Sequence, residues 1–519
     1  MSRYHSTVKS KFFFPKRYRL ARSVMAVTLA ASIGMPTAWF PVAAHGQNLP
    51  SLGDTEREAL SPLMERKLGE QIMREIRRDR DFLDDDPVSE YLNNFGATLL
   101  AVQPEARGEA LYDFEFFAVR DPMLNAFALP GGFIGVHSAL VLAAQNESEL
   151  ASVMAHEVGH VAQRHIARML GKQKQDALIP LAAVLLAALA ARSSPDTSAA
   201  LMMGGQGIAI QRQLNFSRDA EREADRVGLQ ILRDAGYDTS GMIAFFGRMQ
   251  NATRSYTDSA PAYLRSHPLT TERMADIEAR TRGQRYKQRA DSIDFHLIRA
   301  RLRVLQDLSP QGLRIASEAF NNQLQLKTRM QVMGAKYGQA VIALRQGNVP
   351  KAQSLLQETY AAAQGAGAPV QSPVLASLTI DVKLAANDVN GALKEADAAR
   401  SKFPISRGIA RQYADALMRA GRNNDAVDYL RDQVQLYRSD AKLQDKLAQA
   451  YAAQGRQALQ HLALAEAYAI NGAMPAAIDQ LGIARRSPDA SFYDQAVIDA
   501  RERELKARWM EEMKEARER

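Results

Sequence analysis

His156-Glu157-Val158-Gly159-His160, inside the run from Asn146 to Gly171, decides how this chain is read. Leu150, Val153, Met154, Val161 and Ile166 keep the apolar spacing of a helix through it. Asn146 suits a helix cap, with Glu149 as its reciprocal carboxylate three residues on, and Gly171 is a natural stop. On such a helix, histidines four residues apart lie about 40° apart around the axis, so both imidazoles can reach one metal ion. Glu157 lies between them on nearly the same side, where it can act on a water at the metal. Neutral imidazole suits Zn²⁺, and a carboxylate beside the metal is what a hydrolytic base requires. Two buried histidines and a buried glutamate without partners would be costly, and a metal removes that cost.

A catalytic zinc needs a third protein ligand. His165 follows His160 by five residues, about 140° around a continuous helix, so it points elsewhere and reads as a structural or surface histidine. The metzincin pattern fails because Gln163 and Ile166 stand where it needs glycine and histidine. The better candidates lie in Glu221-Arg222-Glu223-Ala224-Asp225, which opens a helical run reaching Gly236. Glu221 and Asp225 share a face, so one could bind metal while the other orients a ligand imidazole from behind. Glu223 points away and reads as a solvated charge. Spacing alone also allows the whole acidic cluster to be a solvated face.

Upstream, Tyr112 to Val119 alternates like a strand, and Asn125-Ala126-Phe127-Ala128-Leu129 and Phe133 to Val136 flank the turn Pro130-Gly131-Gly132. A sheet edge formed by Asn125, Ala126, Phe127 and Ala128 can pair with an extended peptide and lay its scissile bond across the metal. Downstream, His267-Pro268 is followed by Arg273 in a polar stretch.

These four motifs, in this order, resemble the gluzincin peptidases of the HtpX and CAAX-prenyl-protease kind over roughly residues 60 to 285. With a leader and a helical-repeat tail, the chain is most similar to the BepA-like periplasmic metalloproteases. The resemblance implies zinc held by His156, His160 and Glu221, with Glu157 as catalytic base. It implies clients that are outer-membrane proteins misassembled or stalled at their assembly machinery. It also places His267 near the zinc site. A catalytic zinc keeps an open fourth position, and a neutral imidazole delivered there could fill it and restrain the enzyme, or assist catalysis instead.

The chain has 519 residues, enough for two or three domains, and no cysteine, which excludes disulfides and thiol catalysis. Its net charge of +8 misleads. Seven basic residues precede the first acid, Asp54, and without them 59 basic residues face 58 acidic ones, so a nucleic-acid partner is not expected. Those charges, the apolar stretch from Ser23 to Phe40 and Val42-Ala43-Ala44 read as a cleaved signal peptide over 1–46 and hence a periplasmic protein. Leu178 to Ala191 is apolar but too short to span a bilayer. It reads as a lid or plug over the cleft that touches the membrane peripherally, or as a buried core helix.

From about 290 the texture becomes Ala-, Leu- and Gln-rich helix. Gly421 and Gly455 are 34 residues apart, as are Ala392 and Ala426, and Asn387 extends the register backwards. This is the tetratricopeptide period, which builds stacks with a concave surface for proteins. The expected architecture is α+β and predominantly α: a gluzincin-type zinc protease domain with a small β-sheet over 47–285, then an α-helical TPR-like solenoid over 290–519. The expected function is a periplasmic zinc endopeptidase, one Zn²⁺ per chain, whose repeats dock clients. A chaperone or scaffold with a repressed protease site is the alternative.

Overall fold

A computed structural model describes residues 60–102, 113–171, 217–255, 262–283, 289–364 and 370–517. The expected signal peptide and the apolar run within 178–205 lie outside the described residues. Helices α1 (Pro62–Ile76) and α2 (Asp86–Ala101) come first, each opened by a side-chain cap and a proline in its first turn. A three-stranded sheet follows, of β1 (Glu115–Val119), β2 (Ala126–Leu129) and β3 (Phe133–His137) in the order β1-β3-β2. β1 runs parallel and β2 antiparallel to β3, with Phe127 opposite Gly135. The turn from β2 to β3 uses Gly131 and Gly132 at φ of +78° and +92°, which favour glycine.

After α3 (Ser138–Ala143) comes α4 (Glu147–Ala162), the helix of the two histidines. Asn146 caps it by accepting from Glu149 N at 3.0 Å, but the Glu149 carboxylate accepts from Gln145 N instead of returning to the cap. The helix also stops short of Gly171. It breaks at Gln163 and Arg164, and α5 (His165–Gly171) begins anew. Then come α6 (Arg218–Asp234), α7 (Ser240–Ser255), α8 (Ala262–Ser266) and α9 (Thr271–Thr281).

Among the described residues, twelve further helices follow between 293 and 517, from α10 (Ile293–Leu305) to α21 (Phe492–Arg517). Three of the periodic marks, Asn387, Gly421 and Gly455, share a physical origin. They adopt positive φ, between +58° and +74°, each just beyond the end of a helix, as do Gly347 and Gly472 off the 34-residue register. There the left-handed turn satisfies the last carbonyls and reverses the chain. Ala392 and Ala426 are instead buried within helices. Among the described residues the architecture is therefore helical with one small sheet, with a TPR-like stack of helices after it.

One hydrophobic core runs from the sheet and α4 into the first repeat helices. Leu92, Leu140 and Val153 share it with Phe295, Leu297, Leu302 and Tyr337. Ion pairs cross the same junction: Arg301 grips Asp85 through two bonds of 2.7 and 2.8 Å, and Arg411 and Lys442 meet Asp86.

Candidate metal centre

α4 and α6 cross closely because small residues face each other between them. A Cβ on Gly159 would lie 2.9 Å from the Ala224 carbonyl oxygen, and one on Gly228 would lie 3.1 Å from the His156 nitrogen. Every residue of α4 from Glu147 to Val161 is buried, so its motif side chains are interior. α6 starts at a Ser217 cap, and its first turns put Glu221 and Asp225 on the face toward α4.

The ring nitrogens converge. His156 Nε2 and His160 Nε2 are 3.1 Å apart, and each is 3.5 Å from a Glu221 carboxylate oxygen. Asp225 Oδ1 stands 2.9 Å from His156 Nδ1, on the far side of the ring. His267 lies just past α8 and is buried among them rather than in a solvated loop. Its Nδ1 is 3.0 Å from Glu221 Oε1, and its Nε2 is 3.6 Å from Glu157 Oε1. Ligand atoms of His156, His160, Glu221 and His267 all lie within 4.8 Å of one another. Glu157 is fully buried, and neither carboxylate oxygen has a hydrogen-bond partner. A buried carboxylate so placed is costly unless a cation or a reacting water meets it. Two imidazoles and carboxylates form a donor set suited to a divalent metal, so the residues present fit one.

Of the residues expected to receive substrate, Asn125 to Ala128, the last three lie in β2, an edge strand of the sheet that packs against α4. Asn125 is buried just before it, and its Oδ1 has no hydrogen-bond partner. Tyr263 ties this strand to His267: its N donates to Leu124 O at 3.2 Å, and its ring stacks on the His267 imidazole at 4.7 Å.

Three residues play parts that spacing did not reveal. Arg273 is buried, grips Asp225 through two bonds of 2.8 Å, lies 2.7 Å from Glu221 Oε2 and holds the Pro268 carbonyl at 2.8 Å. The H-P-x-x-x-x-R spacing was its only signal. His165 and Glu223 correct the helical-wheel expectation. His165 is buried with its Nδ1 2.8 Å from His160 Nδ1, and Glu223 bridges His165 and Arg168 instead of facing solvent alone. The break after α4 removes the premise of a continuous helix.

The sequence profile of peptidase family M48 matches residues 97–281, which span this centre. The chain is 30% identical over 484 residues to the beta-barrel assembly-enhancing protease of Escherichia coli strain K12, covering 93% of this chain and 96% of that one. The chain belongs to the M48 family of beta-barrel assembly-enhancing proteases. A putative beta-barrel assembly-enhancing protease of Vibrio cholerae is 36% identical over 291 residues, 56% of this chain and 57% of that one. The mitochondrial metalloendopeptidase OMA1 of Schizosaccharomyces pombe is 29% identical over 217 residues, 41% of this chain and 60% of that one. This M48 peptidase is a metalloendopeptidase.

The electrostatics of the M48 centre suit a cation. Burial works to raise Glu221, but His267, His156 and His160 override it and hold the carboxyl well below the usual range. Asp225 is lowered in the same way, against burial, by Arg273 and His156. Burial keeps His160 well below an ordinary imidazole despite Glu221 beside it. Burial would also lower His156, yet Asp225 and Glu221 together push it up to about 9. The carboxylates are thus ionised and His160 neutral, the state a metal ligand needs, whereas His156 at about 9 is protonated and gives up its proton when a metal binds. Among the described residues no helix is long and apolar enough to cross a membrane.

Proposed function

We propose that this peptidase is a zinc endopeptidase in which His156, His160 and Glu221 hold the ion and Glu157 is the catalytic base. The observation that carries the reading is the convergence of the two Nε2 atoms on Glu221, beside a buried Glu157 carboxylate free of internal hydrogen bonds. Zinc bound there would polarise the peptide carbonyl and acidify a water. Glu157 takes a proton from that water as its oxygen bonds to the carbonyl carbon. It then passes the proton to the leaving nitrogen as the C–N bond breaks. Asp225 orients His156, and Arg273 holds Asp225 ionised and fixes Glu221 in place through its 2.7 Å contact. Asn125 to Ala128 hold the substrate backbone as an added strand. The repeats dock protein clients. The names of the relatives support β-barrel proteins and their assembly as the source of those clients; with the leader-like residues 1–46 removed, the enzyme would act in the periplasm on outer-membrane β-barrels and their assembly machinery.

Purified protein should hold about one Zn²⁺ per chain. Glu157→Gln should keep the metal and lose casein cleavage, whereas His156→Ala should lose both. Full proteolysis by zinc-free protein would end this reading.

A second reading rests on His267, whose nitrogens reach both Glu221 and Glu157. Placed there, it occupies the ligand position that a substrate needs and restrains the protease, as a chaperone with a repressed site requires. His267→Ala should then raise basal proteolysis at unchanged zinc content. A loss of activity on every substrate would make His267 a catalytic residue instead.

A further inference from the structure

α4 ends in a way that a regular helix does not. After the cap at Gln163, Arg164 takes a φ of +51°, a left-handed conformation that residues other than glycine rarely adopt. Its side chain is clamped in that position. Nε donates to Glu65 Oε2 at 3.1 Å, Nη2 donates to the Leu60 carbonyl, and Glu65 is itself 3% exposed. The clamp compensates for the unfavourable backbone and turns the chain back on itself. His165 therefore lies against His160 rather than about 140° away from it.

The contacts of His165 specify where the protons sit. Its Nε2 is 3.0 Å from Glu223 Oε2, which also accepts from Arg168 Nη2 at 2.9 Å. A carboxylate paired with arginine accepts, so His165 carries its proton on Nε2. His165 Nδ1 is then an acceptor, and the 2.8 Å contact to His160 Nδ1 requires that His160 donate from Nδ1. That tautomer leaves the His160 Nε2 lone pair facing His156 and Glu221. We propose that His165 and Glu223, set in place by the left-handed turn at Arg164, fix the tautomer and ring orientation of His160. They are positioning residues, and they do for His160 what Asp225 does for His156.

The two ligand rings are consequently backed by different chemistry. Asp225 puts an anion directly against His156, whereas His160 meets a neutral ring that relays Glu223 from the edge of the centre. This inference rests on the reading of His160 as a zinc ligand, and one set of measurements separates the two. Zinc affinity of full-length protein would be measured by competition with a chelating dye, with melting of the metal-free protein as the check on folding. His165→Phe keeps the ring volume and removes the acceptor; zinc should bind about 10–100-fold more weakly. His165→Asn places Oδ1 near the lost Nδ1 and should restore affinity to within a few-fold of the parent. Glu223→Ala should weaken zinc by roughly three- to tenfold, less than His165→Phe, since it acts one ring further away. At saturating zinc all three should keep the parental KM. In ¹⁵N spectra of the parent, His160 should carry its proton on Nδ1 and His165 on Nε2.

Unchanged zinc affinity in folded His165→Phe would overturn the proposal. So would equal weakening in His165→Phe and His165→Asn, which would mean that only packing matters. If His165→Phe does not fold, Glu223→Ala decides, because its side chain lies at the partly exposed edge: unchanged affinity there also overturns it. Full zinc binding by His160→Ala would instead defeat the ligand reading itself.

Discussion

At Arg273 one buried guanidinium meets two buried carboxylates, Asp225 and Glu221, both reached from a helix 48 and 52 positions earlier in the chain. Removing it strands two ionised groups away from water. Arg273→Met should cost about 3–5 kcal/mol of stability, read as a lowered melting temperature, and should weaken zinc as Glu221 and Asp225 lose their fixed positions. Arg273→Lys should recover only part of this, because a point charge cannot hold a carboxylate through two parallel bonds. The residues that spacing reveals are those whose partners sit on the same helix face: His156 with His160, and Glu221 with Asp225. Arg273 has no such partner, since everything it touches belongs to another element or the preceding loop. His165 hides its role for a related reason. Its offset of about 140° belongs to a continuous helix, which a single left-handed residue interrupts here, and arginine is not a residue that announces such a turn.

Between elements, the distance from α4 to α6 is set at Gly159 and Gly228, and the side chains that converge on the centre are divided across that gap. A side chain at 159 would press on the Ala224 backbone, which cannot yield as a flexible side chain would. Gly159→Val should therefore destabilise the fold by about 1–3 kcal/mol through overpacking and lower zinc affinity as α6 is pushed away. Gly247, with open space where its Cβ would be, is the control: Gly247→Ala should leave zinc binding unchanged. Helix starts were legible because serine, asparagine, aspartate and proline act locally. Most of the repeat turns were legible because glycine, or asparagine at 387, marks the left-handed stop; the one at Lys327 carries no such mark. The closeness of α4 to α6 was not, since a glycine in the middle of a helix carries no record of what packs against it.

Across the whole molecule, the core shared by the sheet, α4 and α10 gives the repeats a structural role in addition to any docking role. α10 contributes Phe295, Leu297, Ile298 and Leu302, all 0% exposed, to the core that also contains Leu92 and Val153. A chain ending at residue 289 would leave those partners uncovered, so it should melt at a lower temperature and less cooperatively than the full-length protein. The junction should also respond to pH. Asp294 beside Ser372 is raised from 3.8 to about 6, chiefly by burial, with the charge of Glu147 adding to it. A carboxyl raised on folding stabilises while protonated, fully below 3.8, and that contribution is lost as pH rises through about 6. Asp294→Asn should flatten the pH dependence of melting in this window and leave the protein relatively more stable at neutral pH.

The continuity of that core has a further consequence for how a client is cut. If the gripping surface and the blade are parts of one solid piece, the span between them is a constant. A polypeptide held by the repeats can then offer only the segment lying that many residues from the point of attachment. Cleavage would be measured out by length rather than chosen by side chain. Lengthening the tether between grip and cut with a glycine-serine insert in the client should shift the cleavage position within the client's sequence by the length of the insert.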